Sequence, residues 1–344
     1  MLLMKTRKIL FVILLLLLFL TACKAVEAAE PVKTQFLAMD TVMSFTVYGK
    51  NASAAAALGE KRVQELEALF SVTAEDSDIY RANHADGQSV ELSGDTRRLL
   101  AEALEISDAT GGALDVTIYP VVRAWGFTTG EYRVPEDGEL SALLERVDYK
   151  RIALEDNILT VPEGMELDLG AVAKGYTGDR LMEIFQDAGV TSAIVELGGN
   201  VQALGSKPDG APWRVAVQSP DGAGYAGVLE IVNKAVVTSG GYQRYFEQNG
   251  ETYWHIMDPA TGRPARSGLV SVTIVADRGA EADGLSTSLF VMGREKAAAY
   301  WRAHPGFDFV MIEEDGRVTV TEGLKASFSL YGDWTENPLE VIEQ

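Results

Sequence analysis

The sequence predicts an α+β fold, with mixed, largely antiparallel sheets, helices packed on them and a ligand cleft between the two. Apolar stripes at helical spacing fall in the first half of the chain and again near residues 282–304, while alternating apolar runs crowd the second half. The two kinds do not alternate as regular βαβ units would, which argues against a doubly wound sheet. A chain of 344 residues, 47% of them apolar, can bury a large core, and its composition is that of an ordinary globular protein. It shows no internal repeat and no low-complexity linker.

At the start, Lys5, Arg7 and Lys8 precede an unbroken apolar run over residues 9–20. This is the pattern of an export signal, too short for a comfortable membrane span. The run ends at Leu20-Thr21-Ala22-Cys23, which resembles the lipobox of bacterial lipoproteins, and Cys23 is the only cysteine. The expectation is a signal peptide over 1–22, a lipidated tether over 23–34 starting at Cys23, and a folded domain over 35–344 held outside the cytoplasmic membrane by its lipid. An ordinary signal peptide with an incidental cysteine is the other reading. Without a second cysteine no disulfide can form within the chain, so the fold rests on its core.

Within the domain, residues 35–48 alternate apolar and polar and predict one strand ending at Gly49. Residues 52–70 predict a helix with Leu58, Val63, Leu66 and Leu69 on one stripe. A second helix spans 95–110 and closes at Gly111-Gly112. A short helix at 139–147, a hairpin over 151–161 turning at Asp156-Asn157, and a helix over 171–188 follow. Strands are predicted at 193–197, 213–218, 228–232, 235–238 and 270–275, helices at 282–292 and 294–304, and closing strands at 309–313 and 318–321.

The formal charge of −20 makes nucleic acid an improbable partner. An anionic ligand would need positive charge supplied locally, by a metal, by helix N-termini or by a few converging Arg and Lys.

Several clusters of Gly, Asp and Thr stand at element boundaries. Residues 110–117 and 197–200 carry paired glycines, which permit close backbone approach to a ligand or simply a tight turn. Residues 167–176 pass from an apparent strand into a helix, with Asp168 before the turn and Lys174 in the first turn. A cation there opposes the helix dipole and asks for an anion nearby, unless it is merely solvated. Asp283 and Thr287, four apart on a helix, share one face and offer hard oxygen donors suited to Mg²⁺. An aspartate near a helix start is also a good cap, and both readings stay open at this point. The histidines are His84, His255 and His304, too few with one cysteine to support a zinc site. His255, between a strand and a polar turn, is the candidate general base.

Taken in order, these clusters resemble the ApbE family of FAD:protein FMN transferases. The matching segments are Ala38-Met39-Asp40-Thr41, Phe70-Ser71 through Asp78 to Asn83, 111–117 with Pro120 and Trp125-Gly126-Phe127, and 168–176. Residues 197–200, Thr238-Ser239-Gly240, 255–262 and 283–287 complete the series. The resemblance implies that FAD lies in a cleft, touching Met39, Tyr80, Ala113, Leu114, Asp115, Asp168, Lys174 and Ile256. It implies magnesium at the pyrophosphate, held by the main-chain carbonyl of Ala171 with Asp283 and Thr287. Three positions depart from the pattern: Leu114 replaces a usual Phe, Gly241 a frequent acid, and Ser286 an Asp found in some relatives.

The implied reaction transfers FMN from FAD to a threonine of an exported acceptor protein carrying an Asp-Gly-x-Thr-type segment, and releases AMP. The rival readings are an FAD pyrophosphatase that uses water, and a flavin-binding lipoprotein that cleaves nothing.

Overall fold

A computed structural model describes residues 30–344. Cys23, the export signal and most of the tether lie outside the described residues. Among the described residues no helix is long and apolar enough to cross a membrane.

The described residues build a nine-stranded sheet whose order in space follows the chain: β1 (Val32–Ala38), β2 (Thr41–Tyr48), β3 (Ser192–Leu197), β4 (Asn200–Leu204), β5 (Ala235–Gly240), β6 (Leu269–Ala276), β7 (Phe307–Glu313), β8 (Val318–Thr321) and β9 (Leu339–Ile342). Neighbours are antiparallel, except that β9 runs parallel to β8. One face is covered by helices. α1 (Ala52–Phe70) and α3 (Gly170–Asp187) pack on β1 to β4 through Val63, Leu181 and Phe185, while α4 (Gly279–Met292) and α5 (Arg294–Ala303) pack on β5 to β7 through Leu285, Leu289 and Trp301. A further helix, α2 (Gly94–Ala109), packs outside α3 and α4. The other face is covered over β4 to β8 by a three-stranded sheet of Trp213–Gln218, Tyr225–Ile231 and Phe328–Leu330.

The expected α+β class holds, and two differences from the sequence reading bear on the site. Residues 35–48 form a hairpin rather than one strand. Ala38 pairs with Thr41, so Met39 and Asp40 alone make the turn, with φ of 49° and 58°. Alternation hides such a turn because no glycine or asparagine marks it, and both residues adopt the left-handed backbone that the two-residue hairpin requires. The backbone also begins its first strand at Val32, inside the stretch read as tether.

Leu197 and Asn200 pair across a second two-residue turn, with φ of 59° at Gly198 and 94° at Gly199. Here glycine is demanded twice over, since a Cβ on Gly198 would stand 2.5 Å from the Thr41 side chain. The two hairpin turns thus pack at one end of the sheet.

The second difference concerns α4, which begins at Gly279 rather than at 282. Its first amides donate to a carboxylate from another helix: Gly279 N and Ala280 N reach Asp179 of α3 at 2.6 and 3.0 Å. Because that cap comes from 100 residues away, no local sequence signal announces it. Asp283 therefore lies inside the helix, and its reading as a cap is overturned.

Candidate active site

The site is organised by the crossing of α3 over α4. A Cβ on Gly175 would fall 2.1 Å from the carbonyl oxygen of Gly279, and one on Gly279 would fall 2.3 Å from that of Gly175. Only two glycines allow this backbone approach. The crossing brings the Asp283 carboxylate to the Gly175 amide, which donates to it at 2.8 Å. In a regular helix that amide donates to the carbonyl of Ala171, so the Asp283 carboxylate and the Ala171 carbonyl lie about the same donor. Asp283 is buried, and burial raises its proton affinity, opposed by Lys174, the Gly175 amide and the neighbouring Asn200.

Thr287 lies one turn further on. Ser239, from β5, meets Ser286 Oγ at 2.7 Å and Thr287 Oγ1 at 3.3 Å. Asp283, Thr287, Ser286 and Ser239 thus form one patch of oxygen donors beside the Ala171 turn. Among the described residues no three His, Cys, Asp or Glu side chains cluster as a metal site. One carboxylate with hydroxyl and carbonyl oxygens is nevertheless the donor chemistry that suits Mg²⁺, which keeps most of its shell for water and phosphate. A buried carboxylate with its proton affinity raised is also better compensated by a cation than left alone. The residues present fit the ion.

Lys174 falls at the fifth residue of α3, in its second turn rather than the first. Its charge bears on three groups, Asp168, His255 and Asp283, and Arg244 bears on Asp168 and His255. These are the converging cations that an anion site in an acidic chain requires. Sequence patterns do not single out Arg244, because it lies in a bend outside any helical periodicity, past the Thr238-Ser239-Gly240 segment. Its guanidinium donates to the carbonyl of Phe127, which fastens the loop to the Trp125-Gly126-Phe127 segment.

The remaining residues are drawn in by specific bonds. Asp168 accepts the Gly170 amide at 2.8 Å and donates its own amide to Val116, so the 111–117 and 168–176 segments lie side by side. Asn83 clasps Leu167 through both its amide and its carbonyl, which sets the short helix Asp78–Asn83, and with it Tyr80, next to Asp168. One face of the Tyr80 ring is stacked on His84 at 3.9 Å. Met39 donates its amide to Glu67 at 2.6 Å, and its sulfur contacts Thr177 of α3.

Not every residue implied by the resemblance offers its side chain. Leu114 and Ile256 are buried in core clusters, so what they can present to a ligand is main chain. Both carboxylate oxygens of Asp115 are taken, one by the amide and hydroxyl of Thr117 and the other by the Tyr149 amide. That aspartate shapes the loop on which half-buried Ala113 sits. Of the histidines, His84 and His304 only bond and stack within their own helical turns.

His255 is half-buried, with Nδ1 3.3 Å from the Arg244 carbonyl, an arrangement that makes Nδ1 the donor and leaves Nε2 as an acceptor. Desolvation, then the nearby Arg244 and Lys174 charges, push its pKa down to about 4.

A patch of oxygen donors and two converging cations, carried on a helix pair backed by an antiparallel sheet, has the donor chemistry that suits a divalent metal and a phosphate-bearing ligand. The chain belongs to the ApbE family, whose model matches residues 39–311. It is 34% identical over 311 residues to the FAD:protein FMN transferase of Treponema pallidum, covering 84% of this chain and 86% of that protein. The enzyme of the same name from Vibrio cholerae is 37% identical over 253 residues, 71% of this chain and 75% of that one. In three dimensions the chain is similar to the ApbE protein of Thermotoga maritima, with a TM-score of 0.81, 32% identity, and coverage of 86% of this chain and 98% of that one. The flavin transferase ApbE of Vibrio cholerae superimposes with a TM-score of 0.76 at 30% identity, covering 90% and 99% of the two chains.

Because the folded-state pKa of His255 lies below the unfolded value, the imidazole is neutral at pH 7 and costs no stability there. As pH falls below 6.5 the unfolded chain takes up the proton first, and stability is lost down to about pH 4. Proton NMR of the imidazole C–H resonances should show His255 titrating near 4, and a midpoint near 6.5 would contradict the site geometry.

Proposed function

We propose that the protein transfers the FMN half of FAD to a threonine hydroxyl of an exported acceptor protein and releases AMP. The observation that carries this reading is the convergence of Lys174 and Arg244 on the Asp168, His255 and Asp283 cluster, which makes a place for a pyrophosphate in a chain of net charge −20. The names borne by the relatives supply the ligand and the reaction class.

In the reaction the threonine Oγ attacks the phosphorus on the flavin side of FAD. The new P–O bond forms as the bond to the bridging oxygen breaks, and AMP departs with that oxygen and its electron pair. Mg²⁺ held by Asp283, Thr287 and the Ala171 carbonyl would supply neutralisation of the charge on the phosphates. Lys174 and Arg244 add fixed positive charge on the same side. Asp168 and its turn orient the α3 N-terminus, whose amides suit phosphate oxygens. The hydroxyl proton is taken by Nε2 of His255, which is neutral and oriented by the Arg244 carbonyl. A bound pyrophosphate brings negative charge close to this imidazole and raises its basicity from the depressed value of the free protein.

The test is incubation of the purified protein with FAD and Mg²⁺, with and without an exported protein carrying an Asp-Gly-x-Thr-type segment. The expected outcome is covalent flavin fluorescence on the acceptor after denaturing electrophoresis, abolished by a Thr→Val change in the acceptor. Asp283→Ala should slow the reaction roughly a hundredfold or more, about 2.7 kcal/mol of barrier. Steady FMN and AMP production with the acceptor unlabelled would make the protein an FAD pyrophosphatase, and intact FAD would make it a carrier.

On this reading the enzyme works outside the cytoplasmic membrane, tethered by a lipid on Cys23. Cys23→Ala should release the protein from membranes with its flavin chemistry intact. Unchanged membrane retention would remove the lipid anchor.

A further inference from the structure

We propose that the acceptor protein offers its modified segment as an extended strand, laid along the free edge of Trp213–Gln218 in the cleft between that strand and the back of β2 to β4. The proposal rests on the transferase reading above, and it names how the partner is held.

The strand Trp213–Gln218 is the edge of its three-stranded sheet and pairs only with Tyr225–Ile231 among the described residues. Its other edge therefore presents unpaired main-chain amides and carbonyls. Natural proteins usually blunt such an edge with proline, a bulge or a charge pointing inward. Here the strand has no proline and its pairing with the inner neighbour is regular from Trp213 to Val217, with a bulge only at its end between Val217 and Gln218; the outward row is Arg214, Ala216 and Gln218. An exposed alanine at the centre of that row leaves the space beside it open.

That space is a cleft of about 660 Å³ whose floor is the back of the main sheet, including Ser44, Thr46, Ile194 and Glu196. Of these four, Ile194 packs against the apolar cluster under the three-stranded sheet, and the other three are polar. The floor runs toward Leu37 and Val42, cross-strand partners that are 78% and 49% exposed and lead to the Met39 turn. Arg214 and Glu196 face the cleft and make no ion pair among the described residues.

The position of the cleft selects its occupant. It is bounded at one end by Gly199, Thr238 and Gln243, and the next residues along the chain, Asn200 and Ser239, turn to the opposite face of the sheet, toward Asp283 and Thr287. FAD with its metal is bound on the helix face, so the cleft is left for the second substrate, which is a polypeptide. A strand paired to this edge gains affinity from main-chain bonds, which tolerate varied sequences, while its continuation passes over the Gly198-Gly199 turn to bring a hydroxyl to the phosphorus.

The test measures FMN transfer to a small unrelated carrier protein with an Asp-Gly-x-Thr segment grafted into an extended tail. Two surface variants are compared with the unaltered protein: Ala216→Trp, which fills the cleft, and Arg214→Glu, which reverses its lone cation. The KM for the carrier should rise roughly tenfold in each, while FAD affinity and carrier-free FAD cleavage stay within about twofold. Carrier KM values unchanged in both variants would overturn the strand-docking proposal with the transferase reading intact. Loss of FAD binding in both would assign the cleft to FAD and also overturn it. An unlabelled carrier with the unaltered protein, while FAD is still cleaved, would defeat the transferase reading itself and the docking proposal with it.

Discussion

Two helices meeting backbone to backbone at Gly175 and Gly279 are the constraint on which the site depends. The contact is so close that neither position has room for a methyl group. Three further features hold the helices at that distance. Asp179 of α3 caps the first amides of α4, Gln202 of β4 donates to the same Asp179 carboxylate at 2.7 Å, and Asp283 of α4 takes the Gly175 amide. Each bond is made by a group that is buried or half-buried, where a missing partner is expensive. The result is a carboxylate, three hydroxyls and a helix-turn carbonyl fixed with respect to one another on rigid elements, which is what a weakly liganded Mg²⁺ needs.

The electrostatics follow from the same crossing. Lys174 precedes Gly175, so the residue that permits the approach also sets the lysine beside Asp283, Asp168 and His255. Arg244 bears on Asp168 and His255 as well, fixed by its bond to Phe127. The net charge of −20 repels anions, and Lys174 and Arg244 converge in this one place. A field so local favours a ligand whose phosphates can be inserted among the helix amides and the two cations, and it disfavours polyanions that need an extended basic surface.

Much of this is legible in the sequence, and the parts that are not share a cause. The helices over 52–70 and 171–188 have stripes that a periodic reading finds, and the strand at 213–218 alternates plainly. Asp283 and Thr287 stand out through their spacing, and Lys174 through its place near a helix start. What a linear sequence hides is long-range geometry. The Asp179 cap lies 100 residues from the helix it serves, and without it α4 seems to start three residues late, with Asp283 as its cap. The Met39-Asp40 turn carries no glycine, and its one residue suited to left-handed backbone, Asp40, follows a methionine, so the first hairpin reads as one strand. Arg244 sits in a bend whose partner, the Phe127 carbonyl, lies far away in sequence. The ordered series of segments identifies the family without any of these contacts.

The helix crossing can be tested without reference to the acceptor. Calorimetry would measure how far Mg²⁺ increases the affinity for FAD in the unaltered protein, in Gly175→Ala, and in Gly138→Ala, a helical glycine with nothing within 4 Å of its Cβ position. A methyl at Gly175 drives α4 away and takes the Asp283 carboxylate off the Gly175 amide, a supporting bond of the kind worth roughly 10- to 100-fold in metal affinity. The expected result is that Gly175→Ala, with native circular dichroism, loses the Mg²⁺-dependent increase while Gly138→Ala keeps it. A Gly175→Ala protein that retains the full increase would show that metal and FAD bind independently of the crossing, and would contradict the central role of the two glycines.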